Sequence, residues 1–232
     1  MFSGALEIGR NPISLVRNFG ATKRVRKAPV LAVEQFGALL KELREPFATM
    51  ALVSISLGLR ISETLALRWA DIDFLQFRIV INRGIVMQQV DACKTRGSAK
   101  AFDLASELMA RLVAWKQVGQ FGGANDWVFA SPFQSGKLPY SYTGVRQELN
   151  RAAKAAGLGH VTTHSFRHSY RAWLSQIGTS VDVTKQLMRH STIAMTMDTY
   201  GALLGNEASE AKAKIAQLAF HGNRAQTERE TS

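Results

Sequence analysis

The stretch THSFRHSYRAWLSQIG, from Thr163 to Gly178, carries two histidines and two arginines in its first nine residues and then becomes apolar. In an α-helix each residue advances about 100° around the axis. Five large side chains then share one stripe: Phe166, Tyr170, Trp173, Leu174 and Ile177. Four polar side chains fall together on the other side: His164, Arg167, His168 and Arg171. We therefore expect a helix that is anchored by its apolar stripe and presents a rigid cationic face.

Three interpretations of this cationic face are open: a metal site, an ordinary solvated surface, or a place that holds phosphate. His164 and His168 have the four-residue spacing of the zinc-protease helix, but the residue after the first histidine is Ser165 rather than the required glutamate. Two neighbouring arginines would also repel a dication. We therefore expect no metal, and the choice between solvent and phosphate depends on the rest of the chain.

The charge of the whole chain favours a polyanionic partner. Its 232 residues hold 29 Lys and Arg against 18 Asp and Glu, which gives a net charge of +11. Such an imbalance is typical of proteins that bind nucleic acid. The single cysteine, Cys93, allows no internal disulfide. Because the sequence has no apolar run of bilayer length and no signal peptide, we expect a cytoplasmic protein with no membrane partner.

The hydrophobic pattern predicts a mainly α fold with a small antiparallel β-sheet, an α+β class. Helical periodicity begins near Val33, and PFATMALVSISLGL predicts a buried helix ending at Gly58, followed by a short helix in ISETLALRW. Between Phe74 and Leu104, FRIVI and IVMQQV are two β-prone segments, and KTRGSAK supplies a turn. Helices resume after this region and continue to the end.

Four motifs stand in a specific order along the chain: GLRISE, a Lys-Thr pair in the turn CKTRGSAK, THSFRH, and HSTIAMTMDTYG. Together they resemble the tyrosine recombinase family, the phage-type integrases, over about residues 30–205. The resemblance implies the catalytic-domain fold of that family and a set of six catalytic residues. These residues are Arg60, Lys94, His164, Arg167, His190 and Tyr200.

The resemblance also implies the reaction, in which DNA is cut and rejoined by transesterification with no metal, nucleotide or other cofactor. Arg60 and Arg167 would neutralise the nonbridging phosphate oxygens, a task that suits the planar donor fork of arginine. Tyr200 would be the nucleophile that forms a 3′-phosphotyrosyl link. Lys94 would protonate the departing 5′-oxygen. The implied function is that of a site-specific DNA recombinase.

The remaining site residues support this set. His164 matches a residue that contacts phosphate or accepts a proton, His190 matches one that donates to a nonbridging oxygen, and Glu63 is placed to orient Arg60. One departure is Arg189, where many members have a small residue before the second histidine. Further cations are candidates for contact with the DNA backbone: Arg68, Arg96, Lys100, Arg171, Lys23, Arg24, Arg26 and Lys27.

Both ends of the chain have their own expected roles. Residues 1–29 form a basic arm or linker, the remnant of the edge of an N-terminal DNA-clamping domain, and residues 30–205 form the catalytic domain. Residues 206–232 hold a tail helix and a disordered end. The tail's apolar side, at Ala211, Ile215, Leu218 and Ala219, packs either on its own domain or on a neighbouring protomer.

The expected partner is double-stranded DNA, bound by a chain that is monomeric in solution and tetrameric when assembled on DNA, near the bacterial nucleoid. Two alternatives remain at this stage. One is a type IB topoisomerase-like strand transferase, and the other is a truncated DNA-binding remnant without catalysis.

Overall fold

The computed structural model describes residues 29–92, 100–188 and 208–220. Lys94, Arg96, His190 and Tyr200 lie outside these residues, as do Lys23, Arg24, Arg26 and Lys27. Seven α-helices with the following bounds lie within the described ranges: α1 (Val33–Glu42), α2 (Phe47–Leu57), α3 (Ile61–Leu65), α4 (Ser106–Val118), α5 (Tyr142–Ala155), α6 (Thr163–Gln176) and α7 (Val181–Leu187). A further helix, α8, covers residues 208–220. This content confirms the mainly α class.

The strands form two small antiparallel sheets in the described part of the chain. They are β1 (Ile72–Asp73), β2 (Arg78–Ile81), β3 (Arg83–Val86), β4 (Gln89–Ala92) and β5 (Lys100–Asp103). One sheet has the order β1-β2-β5, with Ile79 of β2 opposite Phe102 of β5, and the other is the β3-β4 hairpin. The antiparallel arrangement is as predicted, but it is divided over two sheets rather than one.

Helix α2 is the centre of the core, as its composition predicts. Every residue from Ala48 to Leu57 is buried, because the helix has no polar face to give to solvent. It packs against α6 on one side and α4 on another. At its C-terminus Gly58 takes a left-handed conformation (φ 60°, ψ 29°) that ends the helix.

Two local predictions were wrong in detail. The segment IVMQQV is not one strand: β3 ends at Val86 and β4 begins at Gln89, with Met87 (φ 50°) and Gln88 (φ 62°) between them. Two-residue hairpin turns usually contain Asn and Gly. Met87 and Gln88 are neither, so the sequence does not predict this turn. ISETLALRW is helical only over α3, and a separate 3₁₀ turn follows at Trp69–Asp71.

The two outer segments of the described chain both pack on the core. At the entrance, the Leu31 amide donates to Ser169 Oγ (2.8 Å), and Trp173 Nε1 donates to the Leu31 carbonyl (3.0 Å). At the other end, α8 buries a row of residues in the main core: Ala208, Ala211, Ile215 and Ala219. In this structure the tail helix therefore lies on its own domain, the first of the two placements considered above.

None of the helices in the described ranges combines the length and the apolar composition that crossing a lipid bilayer requires.

Candidate active site

The corner between α2 and α3 presents Arg60. Arg60 caps the N-terminus of α3, where Glu63 accepts its backbone N–H at Oε2 (2.7 Å) and its Nη1 at Oε1 (3.1 Å). The Arg60 side chain is 47% exposed. The predicted contact between Glu63 and Arg60 is therefore present, and it directs a cationic side chain from a rigid corner towards solvent.

Glycine is required at the start of this corner for two physical reasons. Its positive φ is strained for residues that carry a Cβ. In addition, a Cβ at Gly58 would lie 2.5 Å from Tyr170 Cδ1. Tyr170 is 1% exposed and belongs to the apolar stripe of α6. The close approach of α6 thus fixes the backbone two residues before Arg60.

Helix α6 begins at Thr163, as predicted, and ends at Gln176, two residues before Gly178. Its anchoring stripe is the one that the sequence predicts. Phe166, Tyr170, Trp173 and Leu174 are buried, and Ile177 is partly buried. Phe36 of α1 meets two of them edge-on, with ring centroids 6.0 Å from Phe166 and 5.8 Å from Trp173. The helix is therefore held against the core along its length.

The opposite face of α6 differs from the prediction at one residue. His164, His168 and Arg171 are exposed as expected. Arg167 is not part of that exposed face, since it is 7% exposed. It lies at the border of the apolar stripe, where its Nη1 donates to the Gly58 carbonyl and its Nη2 to the Met188 carbonyl. Hydrogen bonds to backbone acceptors allow a guanidinium to be buried at this position.

The electrostatics of the exposed face affect His168. Partial burial lowers the pKa of His168, and electrostatic repulsion from the neighbouring His164, Arg167 and Arg171 lowers it further. The His168 ring therefore favours its neutral form in the unbound chain. A phosphate placed on this face would favour the charged form instead, because opposite charge raises the pKa of a histidine.

The other DNA-contact candidates have different surroundings. Arg68 is partly buried with its guanidinium 4.4 Å from the centroid of the Trp127 ring, and its Nε has no hydrogen-bond partner among the described residues. Lys100 begins β5, opposite Ile81. Of the candidates that the structure describes, Arg171 has the exposure that a backbone contact needs, and Arg68 is engaged in stacking.

Among the described tyrosines, Tyr170 is too buried to reach a substrate. Tyr140 packs edge-on against Phe47 at 5.1 Å, and burial raises its pKa. Tyr142 is 48% exposed at the start of α5. Neither Tyr140 nor Tyr142 lies in one of the four motifs that match the family. Tyr200 therefore remains the predicted nucleophile.

The sequence pattern did not predict an ion pair that ties the β3-β4 hairpin to the 3₁₀ turn at Trp69–Asp71, which follows α3. Arg83 donates from Nη1 to Asp71 Oδ2 (2.6 Å), from Nη2 to Asp71 Oδ1 (3.0 Å), and from Nη1 to the Ala66 carbonyl (3.2 Å). Ile85 adds a small apolar cluster with Ala66, Trp127 and Ala130. The paired residues are twelve positions apart in the sequence, so a local sequence pattern does not predict the ion pair.

No group of three or more His, Cys, Asp or Glu within the described ranges is arranged to hold a metal ion.

Comparison with known proteins gives a consistent set of relatives. The model of the phage integrase family matches residues 29–207. The chain is similar to the ICEBs1 integrase of Bacillus subtilis (strain 168), with 26% identity over 220 residues that cover 90% of this chain and 59% of that protein. It is also similar to the tyrosine recombinase XerC of Pediococcus pentosaceus, with 29% identity over 141 residues, 60% of this chain and 44% of that protein. The chain thus spans about half the length of these curated relatives.

Solved structures show the same likeness. The Tn1549 transposon integrase in complex with transposon right end DNA has a TM-score of 0.63 and 20% identity, over 97% of this chain and 73% of that one. A lambda integrase dimer bound to a COC′ core site has a TM-score of 0.55 and 19% identity, over 78% of this chain and 64% of that one. Likeness at this identity establishes the fold and confirms the predicted architecture.

Proposed function

The chain belongs to the phage integrase family, and from that premise we propose that it is the catalytic domain of a site-specific DNA recombinase of the tyrosine type. One observation supports this most strongly. Arg167 donates to the carbonyl of Gly58, two residues before Arg60, so the two arginines predicted to hold phosphate are carried by elements in direct contact. Two arginines from distant parts of the chain that are carried by adjoining elements suit a phosphodiester with two nonbridging oxygens.

The proposed first step exchanges one phosphate ester for another. The Tyr200 oxygen forms a bond to phosphorus as the bond from phosphorus to the 5′-oxygen breaks, and the product is a 3′-phosphotyrosyl link. The phenol proton leaves to a base, a role open to His164, and Lys94 supplies a proton to the departing 5′-oxygen. Attack by a 5′-hydroxyl on the phosphotyrosine then restores a phosphodiester and the tyrosine.

The arginines would stabilise the charge that develops on the nonbridging oxygens during both steps, and His190 would donate to one of them. A free phenol has a pKa of about 10, and guanidinium charge nearby favours its ionised form. No step requires a nucleotide, because the energy of the broken ester is retained in the phosphotyrosyl link. The cationic side chains would neutralise the charge that a metal neutralises in other phosphoryl-transfer sites.

The setting of this reaction is also a proposal. Several relatives are integrases, and solved relatives are bound to DNA, which supports double-stranded DNA as the partner. We place the protein in the bacterial cytoplasm at the nucleoid, as a monomer that assembles into a tetramer on DNA. Arg171 and the basic residues 23–27 would contact the DNA backbone there.

The proposed function can be tested without a known target site. A pool of duplexes with a randomised segment and an adjacent nick is incubated with the chain, because loss of the short nicked fragment traps the covalent adduct. Adducts that survive detergent are recovered and sequenced. We expect adducts with the wild type in the presence of EDTA, and none with Tyr200→Phe at equal DNA binding.

Equal adduct yields from the two proteins would place the nucleophile at another residue. Binding of the pool by the wild type with no adduct above the Tyr200→Phe background would contradict strand transfer and favour a DNA-binding remnant.

A further inference from the structure

The buried guanidinium of Arg167 joins three helices. Arg167 lies on α6, and the two carbonyls that it contacts belong to the C-cap residues of two other helices, Gly58 after α2 and Met188 after α7. The final carbonyls of a helix lack partners within the helix, and a cation there also complements the helix dipole. One side chain thus satisfies an acceptor at each of two helix ends.

Each of these helix ends leads directly to a residue of the proposed chemistry. Gly58 precedes Arg60 by two positions, and Met188 precedes His190 by two. The guanidinium therefore fixes, relative to α6, the points from which the chain continues to the other phosphate-binding residues.

The contacts of the α2-α3 corner connect the position of the Gly58 carbonyl to the position of Arg60. One turn beyond Arg167 on α6, the Tyr170 ring lies against Gly58. Ser54 of α2 and Thr64 of α3 share a buried hydroxyl hydrogen bond of 3.0 Å. A shift of the Gly58 carbonyl would thus carry Arg60 and the start of α3 with it.

We propose that Arg167 is a positioning residue in addition to a phosphate ligand, and that it sets the place of Arg60 by fixing the ends of α2 and α7 to α6. The catalytic consequence of this inference rests on the proposed strand-transfer function. Lysine does not substitute, because an ammonium is a compact point charge, whereas the planar guanidinium reaches two acceptors in a fixed geometry. Charge neutralisation and positioning are then separable properties of the same side chain.

A neutral substrate separates the two properties. A methylphosphonate at the cleaved position of a recovered site replaces one nonbridging oxygen by methyl, which removes the charge that an arginine would neutralise. On the ordinary phosphodiester, Arg60→Ala and Arg167→Ala should each lose about 100-fold or more in cleavage rate. On the methylphosphonate, we expect Arg60→Ala to recover to within about threefold of the wild type, and Arg167→Ala to remain at least about tenfold slower, since misplacement of groups is itself costly.

Arg60→Ala is the matched control, since it removes a guanidinium of the same proposed charge role from an exposed side chain held by Glu63. Full recovery of Arg167→Ala on the methylphosphonate would overturn the inference, because a residue that only neutralises charge is dispensable there.

A second measurement does not depend on catalysis. Hydrogen exchange is followed in wild type, Arg167→Lys and Arg171→Lys, at the amides of Leu59 and Met188, which donate to the carbonyls of Ser54 (3.0 Å) and Thr184 (2.9 Å). We expect exchange at both amides to rise at least about tenfold in Arg167→Lys, as local opening becomes easier, and to stay unchanged in Arg171→Lys, an exposed residue of the same helix.

Unchanged exchange in Arg167→Lys would overturn the inference whatever the activity of the chain. A wild type that forms no adducts but shows the expected exchange would contradict the proposed function and keep the structural role of Arg167.

Discussion

Substitution of Gly58 by alanine tests how strongly the α2-α3 corner depends on a missing side chain. The left-handed conformation costs a residue with a Cβ about 1–2 kcal/mol. The new Cβ would also lie 2.5 Å from Tyr170 Cδ1 and 2.6 Å from Cε1. Because that ring is buried, it cannot move aside without repacking the core, and such overpacking costs about 1–3 kcal/mol. We therefore expect Gly58→Ala to lower the free energy of unfolding by about 2–5 kcal/mol.

Gly178→Ala is a matched control for the backbone contribution. Gly178 also has a positive φ (78°), but a Cβ added there would meet no atom within 4 Å. Urea unfolding followed by tryptophan fluorescence should show a loss of only about 1–2 kcal/mol for this variant. If Gly58→Ala is no more destabilising than Gly178→Ala, the contact with Tyr170 does not constrain the corner, and the route from Arg167 to Arg60 loses its rigid link.

Two further predictions concern stability. Glu148 on α5 is buried and accepts from Arg44 and Arg151, whose hydrogen bonds hold its pKa at about 2; Glu148→Gln should therefore cost about 3 kcal/mol at pH 7. Because the folded-state pKa lies below the usual value of 4.5, this difference between wild type and variant should shrink as pH falls from about 4.5 towards 2, and a pH-independent difference would refute the explanation. Ile215→Ala in α8 should lower the free energy of unfolding of the monomer by about 2–5 kcal/mol in urea unfolding. A variant whose monomer is equally stable but fails to assemble on DNA would place the tail on a neighbouring protomer.

The helices could be predicted from sequence because their burial is strongly periodic or complete. Helix α2 has no polar face and is therefore buried on all sides, whereas α6 has an apolar stripe that turns one face to the core. The motifs also supplied Arg60 and its contact with Glu63, since both lie within one turn of the same helix.

Long-range acceptors could not be predicted in this way. Arg167 is a charged residue on a polar stretch, and its burial depends on carbonyls of Gly58 and Met188, 109 and 21 residues away. The hairpin turn at Met87 and Gln88 lacks the residues that usually mark one. In each case the conformation depends on tertiary contacts, which a local sequence pattern does not contain.

The attachment of Leu31 has a practical consequence for anyone who shortens or fuses this domain. Its amide and carbonyl bond to Ser169 and Trp173, which lie on the same helix as His164 and Arg167. A fused partner or a surface tether attached at this junction would pull on the chain at Leu31. The force would therefore act directly on α6. Fusion points belong ahead of residue 29, and a cut after Leu31 would remove both of these hydrogen bonds from the helix that we propose to hold the phosphate.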